Sequence, residues 1–147
     1  MKAIENILVP TDFSEHSVYA LGYAADLAKR YSAKITLVHV YPVVNFAAAE
    51  GFSLYTPEQL TALLTELSQQ LKAAEAHVRA EGVDAVQSTL VQGDAFRELV
   101  ALSPKFDLVV IGTHGRTGFK HALIGSVAEK LVRSASCPVL TVRKVAA

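Results

Sequence analysis

The sequence predicts one doubly wound α/β domain over residues 1–147, with a five-stranded parallel sheet flanked by four helices. Two observations lead to this fold class. Five short apolar runs alternate along the chain with segments of helical period. Three of those runs are almost continuous in Val, Ile and Leu, which is the pattern of strands covered on both faces by helices. A chain of 147 residues is also close to the commonest size of a single domain.

The five apolar runs are the predicted strands, at residues 4–9, 35–40, 86–91, 108–111 and 139–142. The run at 86–91 is the most polar, so it is expected at an edge of the sheet. Right-handed crossovers through the intervening helices favour the strand order 3-2-1-4-5. That order reverses between strands 1 and 4, and ligands bind in such folds beyond the carboxyl ends of those strands. The two ends are Val9 and Ile111.

The helices are predicted from the spacing of apolar residues and from their end signals. The first spans 14–31 and directs four side chains inward, those of Val18, Leu21, Ala25 and Ala28. The second has seven apolar residues on one face: Leu60, Leu63, Leu64, Leu67, Leu71, Ala74 and Val78. A capping box of Thr56 and Gln59 begins it, with Pro57 in the first position, and Gly82 ends it. The third spans 94–103 and is stopped by Pro104, and the fourth begins at Ser126.

Composition excludes several classes of function. Lys and Arg number 14 against 14 Asp and Glu, so no long-range field would attract nucleic acid or anionic lipid. The start of the chain has no signal peptide, and no run reaches the roughly 18 apolar residues of a membrane span, so we expect a cytoplasmic protein. The single cysteine, Cys137, cannot form an internal disulfide and is expected to be a buried structural thiol. The histidines show no zinc spacing, so no metal site is expected.

A glycine-rich segment follows the fourth strand. Gly112, Gly115, Gly118 and Gly125 are four of the eight glycines, and the segment contains Arg116 and Lys120 but no acidic residue. Glycine lets backbone amides approach a phosphate closely, and a helix that begins at Ser126 would direct its free N–H groups to the same point. Neither the Walker A pattern nor Gly-x-Gly-x-x-Gly is present, which weakens the case for those two enzyme classes. The segment predicts a site for the phosphates of a nucleotide.

The pattern Gly-x-x-Gly, nine residues, then Gly-Ser is formed by Gly112, Gly115, Gly125 and Ser126. It accompanies an opening Ile-Leu-Val-Pro-Thr-Asp-Phe-Ser, a Leu-Val-His-Val in strand 2 and a closing Ser-Cys-Pro-Val-Leu-Thr-Val-Arg. Together these motifs resemble the ATP-binding branch of the universal stress proteins over essentially the whole chain. The resemblance implies that the glycine motif holds ribose and phosphates. It further implies that Asp12 lies near the nucleotide and that backbone at Val40 reads adenine.

The candidate nucleotide site combines the loops after strands 1 and 4 with the end of strand 2 and the start of the fourth helix. Its residues are Pro10, Thr11, Asp12, Val40, Ile111, Gly112, Thr113, His114, Gly115, Arg116, Gly125, Ser126 and Val127.

Structural alternatives exist for several of these residues. Asp12 precedes a helix, so an Asx turn or N-cap competes with ligand binding. Ser126 and Glu129 form a capping box, so the Ser126 hydroxyl has a competing role in the helix. Arg116 is either a phosphate ligand or a solvated loop charge, and His114 and His121 are further loop candidates for phosphate. His39, inside an apolar strand, is expected to be a satisfied core imidazole without a role. The apolar stretch 41–55 is either a lid, a partner surface or a loop of no consequence.

The resulting hypothesis is an ATP-binding module of the stress response that acts through its bound state, with Mg²⁺ held through the phosphates as an option. Hydrolysis is expected to be absent or slow, because Asp12 is the one candidate carboxylate of the predicted site. The alternatives are a slow ATPase or transferase, a cyclic-nucleotide (cAMP) sensor using the same cleft, and a dimeric scaffold with an empty glycine loop. A homodimer through residues 138–143 is expected because that strand is an apolar edge, and because family members commonly pair there.

Overall fold

The computed structural model describes residues 2–43, 55–114 and 124–145. Within these ranges strands and helices alternate along the chain. In order they are β1 (Asn6–Pro10), α1 (Glu15–Tyr31), β2 (Lys34–Tyr41), α2 (Pro57–Ala80), β3 (Val86–Gln92), α3 (Ala95–Leu102), β4 (Leu108–Gly112), α4 (Ser126–Ser134) and β5 (Val139–Val142). A short 3₁₀ turn, Ser103–Lys105, follows α3.

The five strands form one parallel sheet in the order β3-β2-β1-β4-β5. The predicted fold class and strand order are therefore confirmed. The most polar run, β3, lies at one edge as expected, and β5 lies at the other. The order reverses between β1 and β4, and this places the carboxyl ends of the central strands beside an open crevice.

The core consists of two apolar layers, one on each face of the sheet. Neighbouring residues of β1 point to opposite faces, so Ile7 and Val9 pack with α1 and α2, whereas Leu8 packs with α3 and α4. All three side chains are fully buried. Burial on both faces explains why these strands are continuous in apolar residues instead of alternating.

The first strand begins later than predicted, at Asn6 instead of residue 4. The carboxylate of Asp107 accepts the backbone N–H groups of both Glu5 and Asn6, at 3.0 and 2.9 Å. It also pairs with Lys2 at 2.7 Å. These contacts, with Lys2 first, lower the pKa of Asp107 to about 2. The Asp107 side chain thus binds the backbone at the start of β1, where the sequence had predicted a strand from residue 4 onward.

Helix α1 faces the sheet with small residues, and the prediction that Val18 points inward is wrong. Its buried positions are Ser17, Ala20, Leu21, Ala24, Ala25 and Ala28, whereas Val18 is 52% exposed. Short side chains let the helix lie close to the strands, so its inner face consists mainly of alanines. The larger apolar side chain of Val18 therefore lies on the outer face.

The predicted ends of α2 are confirmed. The Thr56 hydroxyl accepts the N–H of Gln59, and the Gln59 side chain accepts the N–H of Thr56. Gly82, with φ of 96°, lies just beyond the last turn. The buried face includes the Glu75 carboxylate. Burial raises the pKa of this group, but hydrogen bonds from Ser88, Lys72 and Arg79 lower it, and the net pKa is below the ordinary value. This charged network joins α2 to the edge strand β3.

Helix α3 begins at Ala95, one residue after the predicted start, and Asp94 caps it, because the Asp94 side chain accepts the N–H of Arg97. Helix α3 does not end abruptly before Pro104, because its last turn continues into a tighter 3₁₀ turn that contains this proline. Ser103 is fully buried there and its hydroxyl accepts the N–H of Ser136. Cys137 is partly buried rather than buried, and burial raises the pKa of its thiol.

Candidate functional site

A cavity of about 310 Å³ opens at the carboxyl edge of the sheet, where the strand order reverses. It lies among the ends of β1, β2 and β4 and the beginnings of α3 and α4. This is the position that the topology predicts for a ligand. A volume of this size is within the range of small-molecule sites, roughly 300–1,000 Å³.

Eleven of the thirteen candidate site residues line this one cavity. They are Pro10, Thr11, Asp12, Val40, Ile111, Gly112, Thr113, His114, Gly125, Ser126 and Val127. The other two, Gly115 and Arg116, lie outside the described residues, as do His121 and most of the stretch 41–55. The structure therefore brings together residues that are more than 100 positions apart in the sequence.

Six further residues line the cavity that the sequence did not indicate: Ser17, Val38, His39, Ala95, Leu99 and Ala128. Ala95 and Leu99 belong to α3, which reaches the cavity through its packing on the sheet, and no local pattern signals that approach. Val38 and His39 precede the candidate Val40 on β2. Since alternate residues of a strand point to opposite faces, Val38 could have been inferred from Val40 by strand period alone.

The two described glycines of the motif make close backbone contacts inside the protein. A Cβ at Gly112 would lie 2.8 Å from the carbonyl oxygen of His16, so only glycine lets β4 approach α1 this closely. At Gly125 a Cβ would lie 3.0 Å from the Thr113 carbonyl oxygen, which accepts the N–H of Gly125. The hydrogen bond between Gly125 and Thr113 joins the two ends of the glycine-rich segment. These glycines thus shape the cavity by close packing.

Among the described residues, no side chain caps the start of helix α4, which lies at the cavity. Its N-cap is Gly125, and Ser126 is its first residue, so the capping box expected of Ser126 and Glu129 is wrong. By contrast, α1, α2 and α3 are capped by the side chains of Ser14, Thr56 and Asp94. The first turn of any helix leaves N–H groups without partners in the helix, and these carry a partial positive charge. In α4 that turn, Ser126 to Ala128, forms part of the cavity wall.

The loop after β1 is fixed by its own side chains. Asp12 accepts the N–H of Ser14 at 3.0 Å, so the Asx turn foreseen as its structural alternative is present. The Thr11 hydroxyl accepts the N–H of Phe13 and donates to Ser17, each at 3.1 Å. Asp12 also lines the cavity.

His39 supports the same loop from β2. Its Nδ1 lies 2.7 Å from the Thr11 carbonyl oxygen. A carbonyl oxygen can only accept a hydrogen bond, so Nδ1 is the donor. Its ring also contacts that of Phe13, with centroids 4.7 Å apart. Phe13 has φ of 63°, a left-handed conformation that non-glycine residues rarely adopt. The expectation of a satisfied imidazole is thus met, but the residue lies at the cavity and positions its loop.

The cavity lining combines apolar and polar side chains. Its valine, leucine and isoleucine residues are Val38, Val40, Leu99, Ile111 and Val127. Its polar groups include hydroxyls, the Asp12 carboxylate and the imidazoles of His39 and His114. The Thr113 hydroxyl lies 3.0 Å from Nδ1 of His114. Such a cavity suits a ligand with a flat apolar end and a polar end.

The described ranges hold no group of three or more His, Cys, Asp or Glu placed to bind a metal ion. No helix in the same ranges has the length and apolar character needed to cross a bilayer.

Comparison with known proteins identifies the family. The model of the universal stress protein family matches residues 3–143. The chain belongs to this family. It is 36% identical over 145 residues to a universal stress protein of Methanocaldococcus jannaschii. The aligned region covers 95% of this chain and 82% of that protein.

Solved structures of universal stress proteins share the fold. Universal stress protein UspA from Lactobacillus plantarum is similar with a TM-score of 0.85 at 22% identity, over 97% of this chain and 100% of that one. A universal stress protein in complex with cAMP is similar with a TM-score of 0.73 at 25% identity, over 96% and 98% of the two chains.

Proposed function

We propose that this chain is a cytoplasmic universal stress protein that binds ATP in the cavity at the carboxyl edge of the sheet, and that it signals through its bound state. The observation that carries the proposal is the start of α4, which no described side chain caps and which forms part of the cavity wall. The partial positive charge and free N–H groups of a helix start favour a phosphate group. The other helices whose starts are described satisfy theirs with side chains.

We propose one orientation for the nucleotide in the cavity. Adenine lies near the backbone of Val40 among apolar side chains, and the phosphates lie at Ser126 and the glycine segment. Asp12 then lies near the ribose, where a carboxylate can accept a hydroxyl hydrogen bond. Mg²⁺, where present, would be held through the phosphates, because the described lining offers Asp12 as its one carboxylate. Gly115 and Arg116 stay in the proposal as phosphate ligands on sequence grounds.

A cyclic adenine nucleotide is the second candidate. The universal stress protein in complex with cAMP is 25% identical to this chain and shares its fold. The same cavity would accept the adenine and ribose of either ligand, and the two differ in the number of phosphates at the start of α4. Competition between ATP and cAMP in one titration separates them, because ATP should bind more tightly if its extra phosphates contact α4 and the glycine segment.

Hydrolysis is proposed to be absent or slow. Asp12 is already engaged as an acceptor for Ser14, and no second carboxylate lines the described part of the cavity. A phosphoryl-transfer enzyme needs a group that orients water together with a way to hold Mg²⁺ at the terminal phosphate. We expect turnover well below the ordinary enzyme range of roughly 1–1,000 s⁻¹.

A homodimer through β5 completes the proposal. The carbonyls of Pro138 and Val142 accept N–H groups of Val109 and Thr113, on the side of β4. Because peptide groups alternate along a strand, those of Val139 and Thr141 point away from β4, and they have no strand partner among the described residues. Two copies can satisfy both edges about a two-fold axis and cover Leu140, which is 37% exposed.

Substitution of Ser126 tests the nucleotide site. An aspartate at the first position of α4 should stabilise the helix by about 0.3–1 kcal/mol, because an anion there interacts favourably with the helix dipole. The same carboxylate would repel phosphates, so Ser126→Asp should weaken ATP binding at least about tenfold by calorimetry. Ser126→Ala, which adds no charge, is the control and should retain most of the affinity. Equal affinities of parent and Ser126→Asp, with both folded, would place the phosphates elsewhere.

A further inference from the structure

The outer face of α1 carries aromatic and apolar side chains where a solvent-facing helix normally carries charges. Val18, Tyr19 and Tyr23 are 52%, 39% and 48% exposed. The rings of Tyr19 and Tyr23 meet edge to face with centroids 5.4 Å apart. Two tyrosines ordered against each other on successive turns form a rigid surface, and exposed tyrosines of this kind are common anchors of protein interfaces.

Gly22 lies on this face, beside Tyr23, in the middle of the helix. Glycine in a helix interior costs about 1 kcal/mol relative to alanine. A Cβ added at Gly22 would meet no atom of the described residues within 4 Å, so their packing does not require a glycine there. Gly112 differs, because the carbonyl oxygen of His16 occupies the space of its missing Cβ. An open glycine between exposed aromatic rings fits a place where a second backbone or ring approaches closely.

We propose that α1 packs antiparallel against α1 of a second copy of this chain, about a two-fold axis that passes beside Gly22 and Tyr23. In this arrangement each Tyr23 ring covers the Gly22 of the other copy. A two-fold contact needs a surface that is complementary to itself. The outer face of α1 meets that requirement through its charges as well as its shape.

Charge complementarity selects the antiparallel direction. Glu15 and Arg30 lie at opposite ends of the helix, both exposed and equally far from the midpoint between Gly22 and Tyr23. Glu15 pairs with Lys144 of its own chain at 2.8 Å, and its side chain stays 80% exposed beside that pair. Antiparallel packing places Glu15 of each copy beside Arg30 of the other. It also places the Tyr19 hydroxyl opposite the exposed Asp26 carboxylate, which pairs with Lys29 of its own chain at 3.1 Å. A parallel pair would bring like charges together. This contact is separate from β5, because it buries a helix face instead of a sheet edge.

Sedimentation equilibrium tests the contact with a substitution at the open glycine. Gly22→Gln introduces a good helix former into free space, so the melting temperature should stay equal or rise. The added side chain would hold the two helices apart, so self-association through α1 should weaken at least about tenfold. Ala73→Gln, on the exposed surface of α2, is the matched control and should leave association unchanged. Unchanged association of Gly22→Gln would overturn the proposal.

A Thr141→Pro background separates this contact from pairing through β5, because proline removes an outward N–H of the edge strand. If that variant folds, it should still dimerise, and adding Gly22→Gln should make it monomeric. A Thr141→Pro protein that is folded and monomeric at about 100 µM would contradict the α1 contact.

If the Thr141→Pro protein does not fold, charge reversal in the parent protein provides the test. Glu15→Arg and Arg30→Glu should each weaken association, and the double substitution should restore it, whereas no restoration would reject the antiparallel register.

Discussion

At the scale of single residues, His39 links the apolar strand β2 to the polar loop after β1. Its 2.7 Å hydrogen bond to the Thr11 carbonyl and its contact with Phe13 hold a segment whose backbone includes a left-handed phenylalanine. Residues in such conformations persist when the surrounding structure determines them, and they cluster at functional sites. We infer that His39 is a positioning residue for Thr11 and Asp12.

Substitution of His39 distinguishes positioning from simple packing. His39→Leu fills a similar space but leaves the Thr11 carbonyl without its donor, at a cost of roughly 1–3 kcal/mol in unfolding free energy. We expect it to weaken ATP binding at least about tenfold as well. His39→Asn, whose side-chain amide can donate to the same carbonyl, should recover most of the binding. Calorimetry and thermal unfolding measure both effects, and equal ATP affinities for the Leu and Asn variants would refute a positioning role.

Single-residue roles were the hardest to predict from sequence, for a physical reason. The Asx turn of Asp12 involves a neighbour two positions away, so the sequence contained its signal. The partner of His39 is 28 positions away, and the pairing exists only once β1 and β2 are in register. Val18 was misplaced because periodicity identifies a face by its large apolar residues, whereas α1 packs through alanines.

At the scale of elements, the cavity depends on how closely α1 approaches β4. The contact between Gly112 and the His16 backbone sets that distance. Apart from the start of β1, the ends of the strands and the capped helix starts follow local rules and lie close to their predicted positions. The start of α4 did not follow the expected rule, because its N-cap is Gly125 and not Ser126. The N–H of Gly125 donates to the Thr113 carbonyl oxygen. The exception falls at the candidate site, which is where departures from local preference are expected.

Two glycine substitutions should have opposite effects on stability. Gly112→Ala would force a Cβ to 2.8 Å from the His16 carbonyl and should lower the free energy of unfolding by about 1–3 kcal/mol. Gly22→Ala, within a helix and with open space around it, should raise it by up to about 1 kcal/mol. Urea denaturation of both variants measures the difference. If Gly112→Ala were as stable as the parent, the close approach would not be a constraint on α1.

At the scale of the whole molecule, the sheet order and the cavity follow from the alternation of strands and helices. Right-handed crossovers leave few topologies for this pattern, and the one found places the ligand crevice beside β1 and β4. Eleven candidate residues therefore gather in one place even though their side-chain contacts were not predictable. The part contributed by α3 was missed, because it depends on how that helix packs and not on any motif.

The most direct test of the account is a titration of the ¹⁵N-labelled protein with ATP, followed by NMR. We predict that amide shifts concentrate at Val40, at Gly112 to His114 and at the start of α4 from Ser126 to Ala128. The amides of α2 and of the outer face of α1 should serve as unaffected references. An absence of shifts at about 1 mM ATP, or shifts centred away from the carboxyl edge of the sheet, would contradict the assignment of this cavity as a nucleotide site.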